Sequence, residues 1–345
     1  MILNRRGTVG VIGVLVMLAV TSAHGQHSAR FTTFQQYWAK AREAHSAGKY
    51  EEAAENYERA TQLLGFEPAG RFNLACCLAM SGAIDGAIAS ATEAVRYGWD
   101  DSERLRNEPE LERLQGNPAF EEIIAQAEAN YAEPVALYAS EKVSATQAAP
   151  LLIVLHGMGD NPRAHMWYWT ELADRFGLIV AAPRGIEPMA ERLTYAWSRP
   201  GAKAADDENI KQCVGRITQA IQLATKRYRV DRDRIYLAGF SQGGSVALRM
   251  LGNNPKKFAG ALAFGTVYQT RKTGFWNRAN ARRPIRVYLV VGALDPMKPH
   301  TDVAVQQLRQ GGVAVQSVVV PGISHEMPEN YLDYQTKGWT FLIGK

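Results

Sequence analysis

Two hydrophobic periodicities divide the chain. Between residues 34 and 131 apolar positions recur at three- and four-residue intervals with almost no strand-like run, which predicts packed amphipathic helices. From residue 150 onward, short unbroken apolar runs alternate with helical stretches, the pattern of a mainly parallel sheet covered on both faces. The strands are read at 151–155, 178–182, 235–238, 259–264, 285–291 and 313–320. The helices between them are read at 164–176, 208–228, 244–251, 301–310 and 331–342. Pro134, Ser140, Ser144 and an Ala/Gln/Thr-rich stretch interrupt the helical pattern, and residues 135–138 read as an edge strand. The expected organisation is therefore an all-α unit over 31–131 and an α/β unit over 132–345.

The helical region repeats. A shift of 34 residues aligns Ala41 with Ala75, Gly48 with Gly82, Tyr50 with Ile84, Ala53 with Ala87, Tyr57 with Ala91 and Ala60 with Ala94. Small residues let antiparallel helices approach, glycines permit the turns, and larger apolar residues fill the hairpins. The pattern at 41–60 resembles the tetratricopeptide repeat. The second copy departs from it, with Leu78 and Ala91 in place of the Ala44 and Tyr57 types. Two repeats seldom bury a continuous core, so a third, degenerate unit carrying Leu105, Leu111, Leu114, Phe120, Ile123 and Ile124 is expected to close the stack. Such a surface grips a protein or peptide partner, or serves as a structural cap or dimerisation face; the pattern leaves these open.

The first residues follow a different rule. Arg5 and Arg6 precede an unbroken apolar stretch at 9–20, then Thr21, Ser22, Ala23, His24 and Gly25. This is the layout of a secretory signal peptide over residues 1–25, cleaved before Gln26. The apolar stretch is shorter than the roughly 20 residues of a spanning helix, so no integral membrane span is expected after cleavage. The expected location is exported, periplasmic or extracellular. With the two leader arginines gone, the formal charge falls from +5 to +3, and no basic block marks a nucleic-acid partner. Cys76 and Cys77 are adjacent and Cys213 lies far away, which is neither a disulfide framework nor a metal-ligand spacing. They read as small apolar residues carrying free thiols.

Candidate chemistry centres on residues 235–250, IYLAGFSQGGSVALRM. A buried strand runs into Gly239, Ser241 and Gly243 and then into a helix, the strand–turn–helix context of a nucleophile elbow. Ser241 is the candidate nucleophile, at a helix N-terminus that favours an anion. The strand at 151–155 ends in His156-Gly157-Met158-Gly159-Asp160, a turn able to aim a backbone N–H at the same crevice. The Met158 and Gln242 N–H groups are therefore assigned to an oxyanion hole, with little asked of their side chains. His156 reads as a structural histidine of that turn. The strand at 285–291 leads to Asp295 and that at 313–320 to His325, giving the chain order Ser241, Asp295, His325, each just past a strand. In that reading His325 is the base and Asp295 fixes its tautomer. His300 and Asp302 are nearby alternatives that do not follow strands.

Residues 156–160, 239–244, 292–296 and 322–325 together resemble the phospholipase/carboxylesterase branch of the alpha/beta-hydrolases, and are similar to feruloyl-esterase and polyhydroxybutyrate-depolymerase-like esterases. The resemblance spans roughly 134–345. It implies hydrolysis of small-molecule carboxylic esters or thioesters through an acyl-enzyme, with no metal or cofactor. Met158 stands where the branch often has leucine. Met166, Trp167, Tyr168, Trp169, Tyr195, Trp197, Tyr268, Phe275 and Trp276 are divided between core and pocket, and Ala205-Asp206-Asp207-Glu208 reads as a solvated loop and helix start, with a calcium site as the alternative. Two other functions stay open: an interaction module with secondary or lost hydrolysis, and a peptidase using the same three residues.

Overall fold

A computed structural model describes residues 29–64, 66–189, 194–198, 207–266 and 284–345. The expected signal peptide, residues 205 and 206, Tyr268, Phe275 and Trp276 lie outside these, as do the side chains of Asp207 and Glu208. The chain divides into a helical unit built on Ala29–Glu133 and an α/β unit built on Pro134–Pro188 and Tyr195–Lys345. No helix among the described residues is long and apolar enough to cross a membrane.

The helical unit consists of α1 (Ala29–Ser46), α2 (Tyr50–Leu64), α3 (Pro68–Ser81), α4 (Ile84–Arg96), the short α5 (Ser102–Asn107), a 3-10 turn (Pro109–Leu114) and α6 (Pro118–Ala132). Its hairpins show the 34-residue shift in three dimensions. Ala41, Ala53, Ala60, Ala75, Ala87, Ala91 and Ala94 are all fully buried, and Tyr57 nearly so. Gly48 and Gly82 end their helices at φ 73° and 88°, the left-handed turn that glycine enters without a Cβ penalty. The degenerate third unit supplies Leu105, Leu111, Leu114, Phe120, Ile123 and Ile124 to the core formed by the second hairpin. There the Phe72 and Trp99 rings stack 3.8 Å apart. The buried Asn130 amide donates to the Val95 carbonyl at 2.9 Å, tying α6 to the end of α4.

The α/β unit is a seven-stranded sheet in the order β1-β3-β2-β6-β7-β8-β9. Its strands are β1 (Val135–Ala139), β2 (Ala149–Leu155), β3 (Ile179–Pro183), β6 (Val230–Phe240), β7 (Gly260–Phe264), β8 (Arg286–Gly292) and β9 (Ala314–Val320). A separate ribbon pairs β4 (Glu187–Pro188) with β5 (Tyr195–Ala196). β1 is an antiparallel edge strand on β3, and the other pairings are parallel. β2 and β7 are buried along their whole length, as continuous apolar runs in a doubly covered sheet must be. The covering helices are α7 (Pro162–Trp167), α8 (Thr170–Phe176), α9 (Asp207–Arg227), α10 (Gln242–Asn253), α11 (Lys298–Gln310) and α12 (Tyr331–Ile343).

Two local readings need correction, and one element carries no sequence signal. The single helix expected at 164–176 is two, because the chain turns at Tyr168–Trp169, where the Trp169 N–H bonds the Met166 carbonyl at 2.9 Å and the indole enters the core. β6 begins at Val230, five residues early: Val230 already pairs with Ala149, and the largely exposed Asp/Arg run that hides this start in the sequence lies in a register irregularity before pairing resumes at Ile235 with Leu151. The β4–β5 ribbon has two-residue strands, too short for any period to register. Because parallel strands share one polarity, β2, β6, β7, β8 and β9 all deliver their following loops to one edge of the sheet.

Candidate active site

β6 ends at Phe240, and Ser241 follows with φ 53° and ψ −119°. It is the one non-glycine residue with positive φ among those described. A strained backbone of this kind persists only where neighbours over-determine it, and here they do. The Ser241 N–H bonds the Phe264 carbonyl at 2.8 Å, and its own carbonyl accepts from the Ser245 N–H and Oγ, each at 3.1 Å. Flanking glycines allow the close approach. A Cβ at Gly239 would lie 2.6–2.7 Å from the backbone of Gly243 and Gly244.

The loops after β8 and β9 are joined before any side chain is considered. The Ala293 N–H donates to the Val320 carbonyl at 2.8 Å and the Leu294 N–H to the Ile323 carbonyl at 3.0 Å. This splice brings Asp295 beside His325. Asp295 Oδ1 and Oδ2 lie 3.1 and 3.0 Å from His325 Nδ1, and Oδ1 also accepts the Met297 N–H at 2.7 Å. Both side chains are nearly sealed from solvent, at 1% exposure for Asp295 and 7% for His325. A carboxylate only accepts, so Nδ1 carries the ring proton and Nε2 is left as an acceptor. Ser241 Oγ lies 2.7 Å from that Nε2. Phe240 packs its ring 5.0 Å from the imidazole.

The structure thus brings Ser241, His325 and Asp295 into one hydrogen-bonded line from three separate strand ends. The alternatives go elsewhere: Asp302 pairs with Lys298 at 2.7 Å on the surface of α11, and His300 sits in that helix's first turn.

The loop after β2 lies alongside. A Cβ at Gly157 would be 3.7 Å from Ser241 Cβ, which sets Met158 next to the turn that carries Ser241. His156 is fully buried beneath this loop. Its Nδ1 donates to the Gly157 carbonyl at 2.7 Å, and its Nε2 accepts the Gly185 N–H at 3.0 Å. Burial pushes its pKa down to about 4, so the ring is neutral and fixed in one tautomer. The loop's far end is held by Asp160, which takes the Asn161 N–H at 2.7 Å and faces His165 Nδ1 at 3.3 Å. Burial raises the Asp160 pKa, but His165 and the hydrogen bonds outweigh it and leave it below the usual carboxylate value.

Of the candidates divided between core and pocket, Met166, Trp169, Tyr195 and Trp197 are core, while Trp167 and Tyr168 are half-buried. One contribution escaped the sequence: the Gln242 side chain, from which nothing was asked, carries three hydrogen bonds. Its Oε1 accepts the Trp197 N–H at 2.7 Å, and its Nε2 donates to Ser198 Oγ at 2.8 Å and the Ser198 carbonyl at 3.4 Å. The signal was present only as an amide beside the serine, without its partner.

With this geometry in place, comparison with known proteins is informative. The model of the phospholipase/carboxylesterase family matches residues 139–336, more than half of the chain. The chain belongs to that family. Among curated relatives, the bifunctional acetylxylan esterase/xylanase XynS20E of Neocallimastix patriciarum is 30% identical over 155 residues, covering 43% of this chain and 19% of the relative. The putative esterase NocK of Nocardia uniformis subsp. tsuyamanensis is 28% identical over 198 residues, covering 53% and 48% respectively. The chain therefore spans less than half the length of either relative. The crystal structure of esterase PE8 superposes with a TM-score of 0.50 at 18% identity, covering 60% of this chain and 97% of that one. It shares the alpha/beta-hydrolase fold. The family is one of esterase-type hydrolases, and in this chain an all-α unit precedes the matched residues in sequence.

Proposed function

We propose that the protein is a serine hydrolase that cleaves small-molecule carboxylic esters or thioesters through an acyl-enzyme on Ser241. The observation that carries this reading is the line Ser241 Oγ, His325 Nε2 and Nδ1, Asp295, at 2.7 and 3.0 Å, with the serine held in strained backbone at a helix N-terminus.

In this mechanism His325 Nε2 takes the Ser241 proton as Oγ attacks the acyl carbon, and the imidazolium forms against the buried Asp295 carboxylate. The oxygen of the tetrahedral intermediate becomes an anion in reach of the Met158 and Gln242 N–H groups and the positive end of α10. His325 then protonates the leaving alcohol or thiol. Water, deprotonated by the same imidazole, releases the acid and restores Ser241.

The test is labelling of the purified protein by a fluorophosphonate, followed by an ester, thioester and amide panel. Labelling and turnover that vanish together in Ser241→Ala support the assignment; retained turnover in that variant overturns it. Amide turnover comparable to ester turnover would move the assignment to a peptidase.

Two further parts of the reading concern the rest of the chain. The Arg5-Arg6 pair and the apolar stretch at 9–20 support export with cleavage before Gln26, which N-terminal sequencing of the mature protein from cell fractions checks. The repeated hairpins support recruitment of a protein or peptide partner. Deleting residues 26–131 with localisation unchanged would leave recruitment without support.

A further inference from the structure

The Gln242 amide is bonded at both ends to a segment that also grips the turn carrying Met158. Trp197, whose N–H bonds Gln242 Oε1, is fully buried, and its indole Nε1 donates to the His156 carbonyl at 2.9 Å. Two residues earlier, Tyr195 exchanges a pair of backbone bonds with the same turn: the Gly159 N–H donates to the Tyr195 carbonyl and the Tyr195 N–H to the Asp160 carbonyl, each at 3.0 Å. The segment 195–197 therefore holds the turn on both sides of Met158. It grips the His156 carbonyl ahead of it, and Gly159 and Asp160 behind it. The neutral His156 ring braces the turn from beneath through the Gly157 carbonyl.

We propose that the Gln242 side chain is a positioning residue, which through Trp197 keeps the Met158 and Gln242 N–H groups in register. This rests on the oxyanion reading given above. One residue supplies a donor from its backbone and, through its side chain, locks the loop that supplies the other. The bridge is short and its donors and acceptors are matched, with Gln242 offering one acceptor and one NH2 and receiving or giving a bond at each. Positioning of this kind acts on the transition state. The oxyanion needs both donors at hydrogen-bond distance at once, and a displacement near 1 Å costs roughly 100-fold in rate. Substrate binding before attack makes no such demand.

The test is Gln242→Met, which matches the side chain in length, removes its hydrogen bonds and leaves both backbone donors in the chain. Rates are normalised to active sites titrated by the fluorophosphonate. The expected result is a kcat lower by about 10- to 100-fold, KM within about twofold, and affinity for a trifluoromethyl ketone, which adds to serine as an oxyanion, reduced in parallel with kcat. Trp197→Phe removes only the indole bond and should give a smaller loss of the same kind. The double variant should fall short of the product of the two losses, since both act on one bridge. Unchanged kcat in Gln242→Met, a loss confined to KM, or fully multiplicative losses would overturn the inference. If Gln242→Met does not fold, unchanged kcat and ketone affinity in Trp197→Phe overturn it. Absence of Ser241 labelling in the unmodified protein would instead sink the hydrolase reading itself.

Discussion

Adding one methyl group at Gly243 separates the role of this glycine from that of its neighbour. A Cβ on Gly243 would overlap the carbonyl oxygens of Leu155 and His156 and lie 2.5 Å from the Leu155 carbonyl carbon. Ordinary Cβ contacts lie at 3.4 Å or more and almost none fall under 3.0 Å, so α10 and the end of β2 would have to separate by about 1 Å, and neither side is a flexible side chain that can turn away. Overpacking in a core costs about 1–3 kcal/mol when side chains absorb it, and backbone against backbone belongs at the upper end. For a unit of roughly 200 residues, about 3 kcal/mol corresponds to a melting temperature lower by about 6–12 °C. The same movement carries Leu155 and His156, and with them the Met158 turn, away from Ser241, so kcat should fall about 100-fold. Gly244→Ala is the internal control. Its Cβ meets the Gly239 carbonyl oxygen at 3.2 Å and Ala263 Cβ at 3.3 Å, a contact that a few tenths of an ångström relieve, and alanine returns up to about 1 kcal/mol of helix propensity. Differential scanning calorimetry and active-site-normalised ester kinetics on the two variants decide the matter. A Gly243→Ala protein with unchanged melting temperature and kcat, or one no worse than Gly244→Ala, would refute the reasoning.

Asp295→Asn should lower kcat by about 10⁴-fold with the protein still folded, because an amide no longer enforces the Nδ1–H tautomer; steady-state kinetics with circular dichroism checks this, and a loss below tenfold would count against the role. His156, neutral when folded with a pKa near 4 against 6.5 for the free side chain, binds its proton more readily in the unfolded chain. Stability should therefore fall as pH drops below about 6.5 and keep falling to about 4, by roughly 3 kcal/mol from this group. Urea titrations at pH 7 and 4.5 should show a smaller drop in His156→Asn than in the parent, and an equal drop would contradict the assignment. Cys76, Cys77 and Cys213 are buried, and burial raises the last two thiols to about 12. Ellman's reagent should accordingly find almost no thiol in the native protein and three after denaturation; rapid native labelling would show that these sites open.

The sequence determined what depends on local order. Period 3.6 before residue 131 and short apolar runs after 150 set the two kinds of architecture, because a buried stripe must follow the geometry of its own element. The 34-residue shift located the alanines that hairpins bury and the glycines that end their helices. Ser241, Asp295 and His325 were legible for a related reason: a parallel sheet sends every strand's following loop to the same edge, so a residue just past a strand is already near that edge. The tertiary structure decided what depends on chance neighbours in space. The splice of Ala293 and Leu294 onto Val320 and Ile323 sets the Asp295–His325 distance, and no local pattern encodes it. The two-residue strands of the β4–β5 ribbon carry no period, so the hold of Tyr195 and Trp197 on the Met158 turn was invisible. Gln242 read as a backbone donor alone, since the partner of an amide side chain is fixed only when a segment 45 residues away in the chain folds against it.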